Sequence, residues 1–428
     1  MMKRILLTLA VLASAVGIYA QTALQQIAAN RMLSAGNYQA YPVPTATLTP
    51  APDGYTPFYI STYGRHGSRY LIMTSQYESP RRTLAQADSL GMLTERGRQV
   101  KDILQKLCDM SDGRLGELTA AGARQHQGIA QRMYRNFPEV FEGNATVDAR
   151  STIVIRCILS MANECMTLKS LNPDLQITQD ASEHDMSYMN RKGPRFDSLY
   201  YKGEAIRVYS EFVKEHTHPE RLMKVLFNDD NYIRDNVDGS RLMQQLFALA
   251  GNMQSHDTDM ELFSLFTDQE CYDMWLCNNA FWFFGEANSA LTGGWMPYRE
   301  AELLRDMLDK ADLAVAGQGN AADLRFGHES CLLPLVCLLE LDDYGKEHND
   351  LESLDTTWRS YEIFPMACNV QFVFYRNPNN SDILVKAMLN EREVRLPVST
   401  NNAPYYRWDD VEKYYRAKIA YYDASVMR

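Results

Sequence analysis

The eight cysteines of this 428-residue chain include no C-x-x-C pair, so zinc-ribbon and dithiol redox spacing is missing. Past residue 20 no stretch is apolar for long enough to cross a bilayer. Long polar tracts and solenoid-period repeats are missing too, which argues against disorder and repeat arrays. Basic residues are in the minority, 43 Lys and Arg against 54 Asp and Glu. A formal net charge of −11 does not suit nucleic acid, and an anionic ligand would need a local basic pocket to draw it. His328-Glu329 opens a H-E-x-x-H match, but Leu332 stands where the second His is needed, so that metal motif fails.

What is present is ordinary globular composition, 46% apolar and 23% charged. The length suits one large domain with an insertion, or two to three domains. Met1 to Ala20 reads as a cleaved secretory leader: Lys3 and Arg4, an apolar core from Ile5 to Val16, then a small residue at the expected cut. The mature chain would begin at Gln21, be more acidic by two charges and lie in a periplasm or outside the cell, without membrane insertion. An oxidising compartment permits disulfides. However, Cys271 with Cys277 and Cys331 with Cys337 each sit six positions apart in a helical pattern, about 9 Å at helical rise, too far to bridge. The cysteines read mostly as small buried hydrophobes.

Phe58-Tyr59-Ile60-Ser61-Thr62-Tyr63-Gly64 reads as a short buried strand, and Arg65-His66-Gly67-Ser68-Arg69 as the loop leaving it. Two guanidinium forks suit phosphoryl oxygens, and a neutral imidazole is a competent nucleophile toward phosphorus. A solvated surface loop is the plain alternative. Residues 21–57 carry five prolines and read as connections. Residues 78–110 have helical spacing, and a helix capped by Thr119 runs to Phe137 with His126 in a structural role.

Ala145 to Ala149 reads as a second strand that passes into an apolar helix near Arg156. A cation there needs a bound anion or a core carboxylate. From 167 to 310 helical patterns dominate, as in Leu222–Phe227, Leu242–Ala250 and Gln269–Phe284. This stretch holds His184-Asp185 and the basic run Arg191-Lys192-Gly193-Pro194-Arg195. Then Ala322 to Gly327 reads as a strand, followed by His328-Glu329 and an apolar helix. Gln371–Arg376 and Ile383–Leu389 pattern as a hairpin, and 408–421 as a last helix. In open α/β sheets ligand groups gather where strands end and helices begin. The expected organisation is an α/β domain in two parts, 21–166 and 311–428, around a helical cap insertion, 167–310.

Arg65-His66-Gly67-Ser68-Arg69 resembles the Arg-His-Gly-x-Arg signature of the histidine acid phosphatase branch of the histidine phosphatase superfamily. Arg150-Ser151-Thr152 with Arg156 and Ser160 resembles that branch's second Arg segment. Phe326-Gly327-His328, Leu332-Leu333-Pro334 and Asn369-Val370-Gln371 are most similar to multiple inositol polyphosphate phosphatases, which degrade phytate. The resemblance implies a phosphoglycerate-mutase-like central sheet flanked by helices, with the site between sheet and cap. It implies His66 as nucleophile, Arg65, Arg69, Arg156 and His328 as phosphate ligands, and Glu329 as proton donor and water activator. It implies no metal or other cofactor, and a small anionic phosphomonoester as partner. One departure stands out. The inositol polyphosphate phosphatases commonly carry His-Ala-Glu, and this chain has His328-Glu329-Ser330, closer to the His-Asp form of other acid phosphatases. A broad acid phosphatase acting on sugar phosphates or bisphosphoglycerate, and a catalytically silent binding protein, are the competing expectations.

Overall fold

The computed structural model describes residues 21–190, 194–348 and 350–426. The expected leader, Met1 to Ala20, and Arg191-Lys192-Gly193 of the basic run lie outside the described residues.

Among the described residues, eight strands form one mixed sheet. They are β1 (Thr56–Arg65), β2 (Thr146–Ser151), β3 (Gln176–Asp180), β4 (Ala322–Gly327), β5 (Asn369–Asn377), β6 (Asn380–Leu389), β7 (Arg392–Val394) and β8 (Tyr406–Arg407). The order is β3-β2-β4-β1-β5-β6-β7, with β8 paired to β6. The pairs β1/β4, β2/β4 and β2/β3 are parallel, whereas β5 runs antiparallel to β1 and begins the β5/β6 hairpin. β4 is buried at every position, as a central strand covered on both faces should be.

Two hydrophobic cores cover the two faces of the sheet. One joins Tyr59, Phe372 and Phe374 to the helices Ala301–Val315, Glu329–Leu338 and Trp408–Val426. The other joins Ile60, Leu324 and Val373 to the helices Ala120–Asn136 and Ile155–Leu171. Consecutive residues Tyr59 and Ile60 therefore feed opposite cores, as the two-residue period of a strand requires.

A third core is helical. It combines residues 212–280 with Ile27, Ala35, Leu84, Val100 and Leu104. The helical layer is thus wider than the expected 167–310 insertion, because the amphipathic helices Thr74–Ser89 and Glu95–Ser111 need a second apolar face to bury against. The single helix expected over 78–110 is these two helices, broken where Gly91 takes a positive φ of 73°. The stretch expected as connections contains the helix Ala23–Ala29 and a 3-10 segment, Arg31–Tyr38. β3 lies past the expected start of the cap. Its mostly polar sequence, Gln-Ile-Thr-Gln-Asp, gives little alternation because it is a half-exposed edge strand. Between β3 and β4 the described residues carry no further strand. All eight cysteines are free, and seven are buried. Among the described residues no helix is long and apolar enough to cross a membrane.

Candidate active site

The parallel register β2-β4-β1 sets Ser151 opposite Phe326 and Arg65 opposite Gly327, so three strands end at one level. Backbone bonds carry this order past the strand ends. The His66 N–H donates to the Gly327 carbonyl at 2.9 Å, and the Thr152 N–H donates to the Phe326 carbonyl at 3.0 Å. Arg65-His66, Thr152-to-Arg156 and His328-Glu329 are thereby gathered from distant parts of the chain, as expected at the carboxyl ends of parallel strands.

His66 is fully buried. Its Nδ1 lies 2.9 Å from the Gly67 carbonyl, which can only accept, so Nδ1 carries the proton. Nε2 then carries the lone pair, and among the described residues no hydrogen-bond partner meets it. Glu329 Oε2 lies 3.7 Å away. Burial first, then the Arg65, Arg156 and Arg69 guanidiniums, hold the imidazole pKa well below its ordinary value. His66 is neutral and poised with an open lone pair.

Arg65 is fixed by three acceptors. Nη1 donates to the Asn37 carbonyl at 2.7 Å and the Phe364 carbonyl at 3.1 Å, and Nη2 to Glu329 Oε1 at 2.9 Å. Arg69 donates from Nη1 to the Tyr70 carbonyl at 3.0 Å and lies 5.6 Å from the centre of the Tyr38 ring. Arg156 is the second residue of the Ile155–Leu171 helix. Among the described residues neither Arg69 nor Arg156 has a carboxylate partner, and the buried Nε atoms of Arg65, Arg69 and Arg156 have no hydrogen-bond partner. Buried cations without anions form a receptor for an external anion.

His328 caps the Glu329–Leu338 helix; its ring centre is 5.6 Å from that of His66. Its Nε2 lies 3.3 Å from Thr152 Oγ1, and its N–H donates to the Tyr63 hydroxyl at 3.3 Å. Burial pushes its pKa to about 4, against the pull of Glu329. Glu329, at the positive end of that helix, is also nearly enclosed. Burial alone would raise its pKa, but Arg65, Arg69 and His328 hold it down at about 2. These charges keep Glu329 ionised.

The ligand atoms of His66, His328 and Glu329 lie within 4.8 Å of one another, close enough to share a metal ion. The charge around them does not fit one. The same guanidiniums that suppress imidazolium formation at His66 oppose a divalent cation and favour an anion.

The loop carrying His66 is built by close backbone approach. A Cβ on Gly67 would lie 2.4 Å from the Gly122 carbonyl oxygen, and one on Gly122 would lie 2.3 Å from the Ser68 oxygen. Gln125 bonds Ser68 twice: the Ser68 backbone N–H donates to Gln125 Oε1, and Gln125 Nε2 donates to the Ser68 hydroxyl. Ser160 accepts from the Gly67 N–H at 3.1 Å and donates to the Arg156 carbonyl at 2.8 Å, which ties the His66 loop and the Arg156 helix together.

All of His66, His328, Glu329, Arg65, Arg69 and Arg156 thus meet in one place. Arg150, one word away in the same motif, does not. It pairs with Asp148, Asp180 and Asp185, which also accounts for Asp185 of the His184-Asp185 pair. His126 is buried against Glu164 at 2.9 Å. The sequence reading missed Asn37, whose Nδ2 lies 3.5 Å from Glu329 Oε1, and Tyr38 beside Arg69. It also missed Gly122 and Gln125. A Gly-Asn-Tyr word in a proline-rich stretch carries no pattern that singles it out.

Solved structures share this fold. The Bifidobacterium longum multiple inositol polyphosphate phosphatase in complex with phosphate aligns with a TM-score of 0.74 at 17% identity, over 90% of this chain and 98% of its own. The same enzyme with inositol hexasulfate aligns at 0.73 and 17%, over 87% and 95%. The D. castellii phytase aligns at 0.66 and 16%, over 91% and 85%. No curated protein matches by sequence. The model of the histidine phosphatase superfamily (branch 2) matches residues 64–390, from the last glycine of β1 to the turn after β6. This chain therefore belongs to the histidine phosphatase superfamily, branch 2.

Proposed function

We propose that this phosphoric monoester hydrolase removes phosphate from inositol polyphosphates such as phytate, through a phosphohistidine at His66, outside the cytoplasm. One observation carries the reading: a neutral, buried imidazole with an open Nε2 stands among three guanidiniums, two of which have no anionic partner among the described residues. Structural neighbours solved with inositol hexasulfate and with phosphate, and a phytase, support the substrate class.

In the first step His66 Nε2 attacks phosphorus in line. The N–P bond forms, the P–O bond to the leaving group breaks, and the leaving alkoxide takes a proton from the Glu329 carboxyl. Arg65, Arg69, Arg156 and His328 hold the phosphoryl oxygens and stabilise the charge developing on them. In the second step water attacks phosphorus, gives its proton to the Glu329 carboxylate, and the N–P bond breaks. Glu329 must be protonated to begin. A phosphate dianion entering beside it brings like charge and takes up the guanidiniums that depress its pKa, and both raise its proton affinity. The residue after it, Ser330, is half-buried on the same helix, so Glu329 is the carboxyl of this motif that meets His66.

Phosphate release from phytate and from an aryl phosphate, with chelator present, tests the reading. Release from phytate that survives chelator and disappears in His66→Ala is the expected result. Release from the aryl ester alone would replace the substrate class with a broad acid phosphatase. Phosphate binding without turnover would leave a binding protein. A mature N-terminus at Gln21 in the extracytoplasmic fraction checks the location.

A further inference from the structure

A cavity of about 590 Å³ lies in the helical layer, and none of the six catalytic-cluster residues lines it. Its walls include Ala35, Tyr209, Val213, Phe247 and Met274. Among the described residues that line it, Lys214 alone is charged; it is exposed and has no carboxylate partner. Asn278 Oδ1 lies buried in the lining without a hydrogen-bond partner among the described residues. Thr217 Oγ1, also in the lining, is likewise buried without a hydrogen-bond partner among the described residues, and Ser34, Ser210, Ser240 and Gln244 add polar groups. A wall of apolar and polar side chains with two unpartnered polar atoms and one cation at its edge is the pattern of a small-molecule site.

Two lining residues also join the cavity to the catalytic cluster. Asn37 and Tyr38 line it, while the Asn37 carbonyl accepts from Arg65 and the Tyr38 ring lies beside Arg69. The 3-10 segment carrying them is tightly seated. Gly36 takes a φ of 56°, and a Cβ there would meet Asn278 Oδ1 at 2.5 Å. A Cβ on Gly251 would meet the Ala35 Cβ at 3.2 Å. A wall this close cannot adjust on one side without moving on the other.

We propose that this cavity is an effector site for a small, mainly apolar, anionic molecule bearing one hydrogen-bond donor, and that its occupancy is felt at Arg65 and Arg69 through Asn37 and Tyr38. The apolar body would fill the space beside Phe247 and Met274, the donor would meet Asn278 Oδ1, and the anion would meet Lys214. Such a ligand differs from the substrate class above, because the cavity offers one cation where a polyphosphate needs several.

Anilinonaphthalene sulfonate has an aromatic body, one N–H and one sulfonate, and serves as the probe. Fluorescence titration of the whole protein in saturating inorganic phosphate should give one saturable site. Ala248→Trp, which fills the cavity, should weaken it at least tenfold, and Lys214→Glu, on the exposed rim, several-fold. The bound probe should change kcat/KM for an aryl phosphate at least twofold in the parent and leave Ala248→Trp unchanged. Displacement of the probe by phosphate, or undiminished binding in both variants, would overturn the site. Binding without any kinetic change would overturn its effector role. The titration needs no turnover, so its outcome is separate from that of the phosphatase reading.

Discussion

Of the three buried imidazoles among the described residues, His66, His126 and His328, the first two leave Nε2 without a partner there. Their Nδ1 atoms differ. That of His126 meets the Glu164 carboxylate, whereas that of His66 donates to a carbonyl. The first arrangement is a closed pair that satisfies a buried acid. The second fixes a tautomer, leaves a lone pair open and surrounds it with cations. Burial alone does not leave an imidazole open to an anion; the sign of the charge around it separates the two. The two arginines of the second motif teach the same lesson. Arg150 is tied to three aspartates and Arg156 to none among the described residues.

The comparison breaks if the two histidines respond alike. His66→Ala should lower kcat by at least about 10³-fold, because the nucleophile is gone. His126→Gln should keep kcat within about tenfold and instead lower unfolding free energy by ~1–3 kcal/mol, because Glu164 loses its buried partner. Steady-state kinetics and denaturant melts on both variants separate the two.

Next in size is the acid. Glu329→Gln should lower kcat about 10²–10⁴-fold on an alkyl phosphate and far less on a nitrophenyl ester, whose leaving group needs no proton. Equal losses on both esters would remove Glu329 from the donor's role. The arginine pair comes third. Arg156→Ala should cost about 10²–10³-fold in kcat/KM. Arg150→Ala should alter stability and leave kcat/KM within a few-fold. Gly122→Ala is the smaller structural test. Its Cβ has no room beside the Ser68 carbonyl, and displacing the His66 loop should cost about 10–100-fold in kcat while the phosphate ligands remain.

The pH dependence follows from the same charges. His66 and His328 have lowered pKa values, the latter about 4, so both stay neutral in weak acid. Activity should therefore persist as pH falls from 7 to 5, where an ordinary histidine nucleophile would be lost. Stability moves the other way. The unfolded chain takes up protons on these histidines below about pH 6.5 and the folded chain does not, so stability falls from there toward pH 4. The depressed pKa of Glu329 adds stability above about pH 4.5, lost as pH falls toward 2. Thermal melts against pH check both signs.

The chemistry of the site was legible because it sits in strand-end words. Arg65 to Arg69 and His328-Glu329 each follow an apolar strand and a glycine, a pattern local enough to be seen without the fold. Arg156 stood out as a charge in an apolar helix start. Asn37 and Tyr38 did not, because a 3-10 segment has little periodicity and their importance comes from a contact made across the chain with Arg65 and Arg69. Gly122 was hidden for a similar reason: its value lies in what is pressed against it, not in its neighbours in sequence. β3 was missed because an exposed edge strand need not alternate.

The central claim is that His66 Nε2 becomes bonded to phosphorus. Rapid quench of a single turnover with a phosphate-labelled ester, followed by peptide mapping under alkaline conditions, tests it directly. An acid-labile, base-stable label on His66, formed before free phosphate and absent in His66→Ala, is the predicted result. Full release of phosphate with no labelled protein at any time, or a label on another residue, would contradict it.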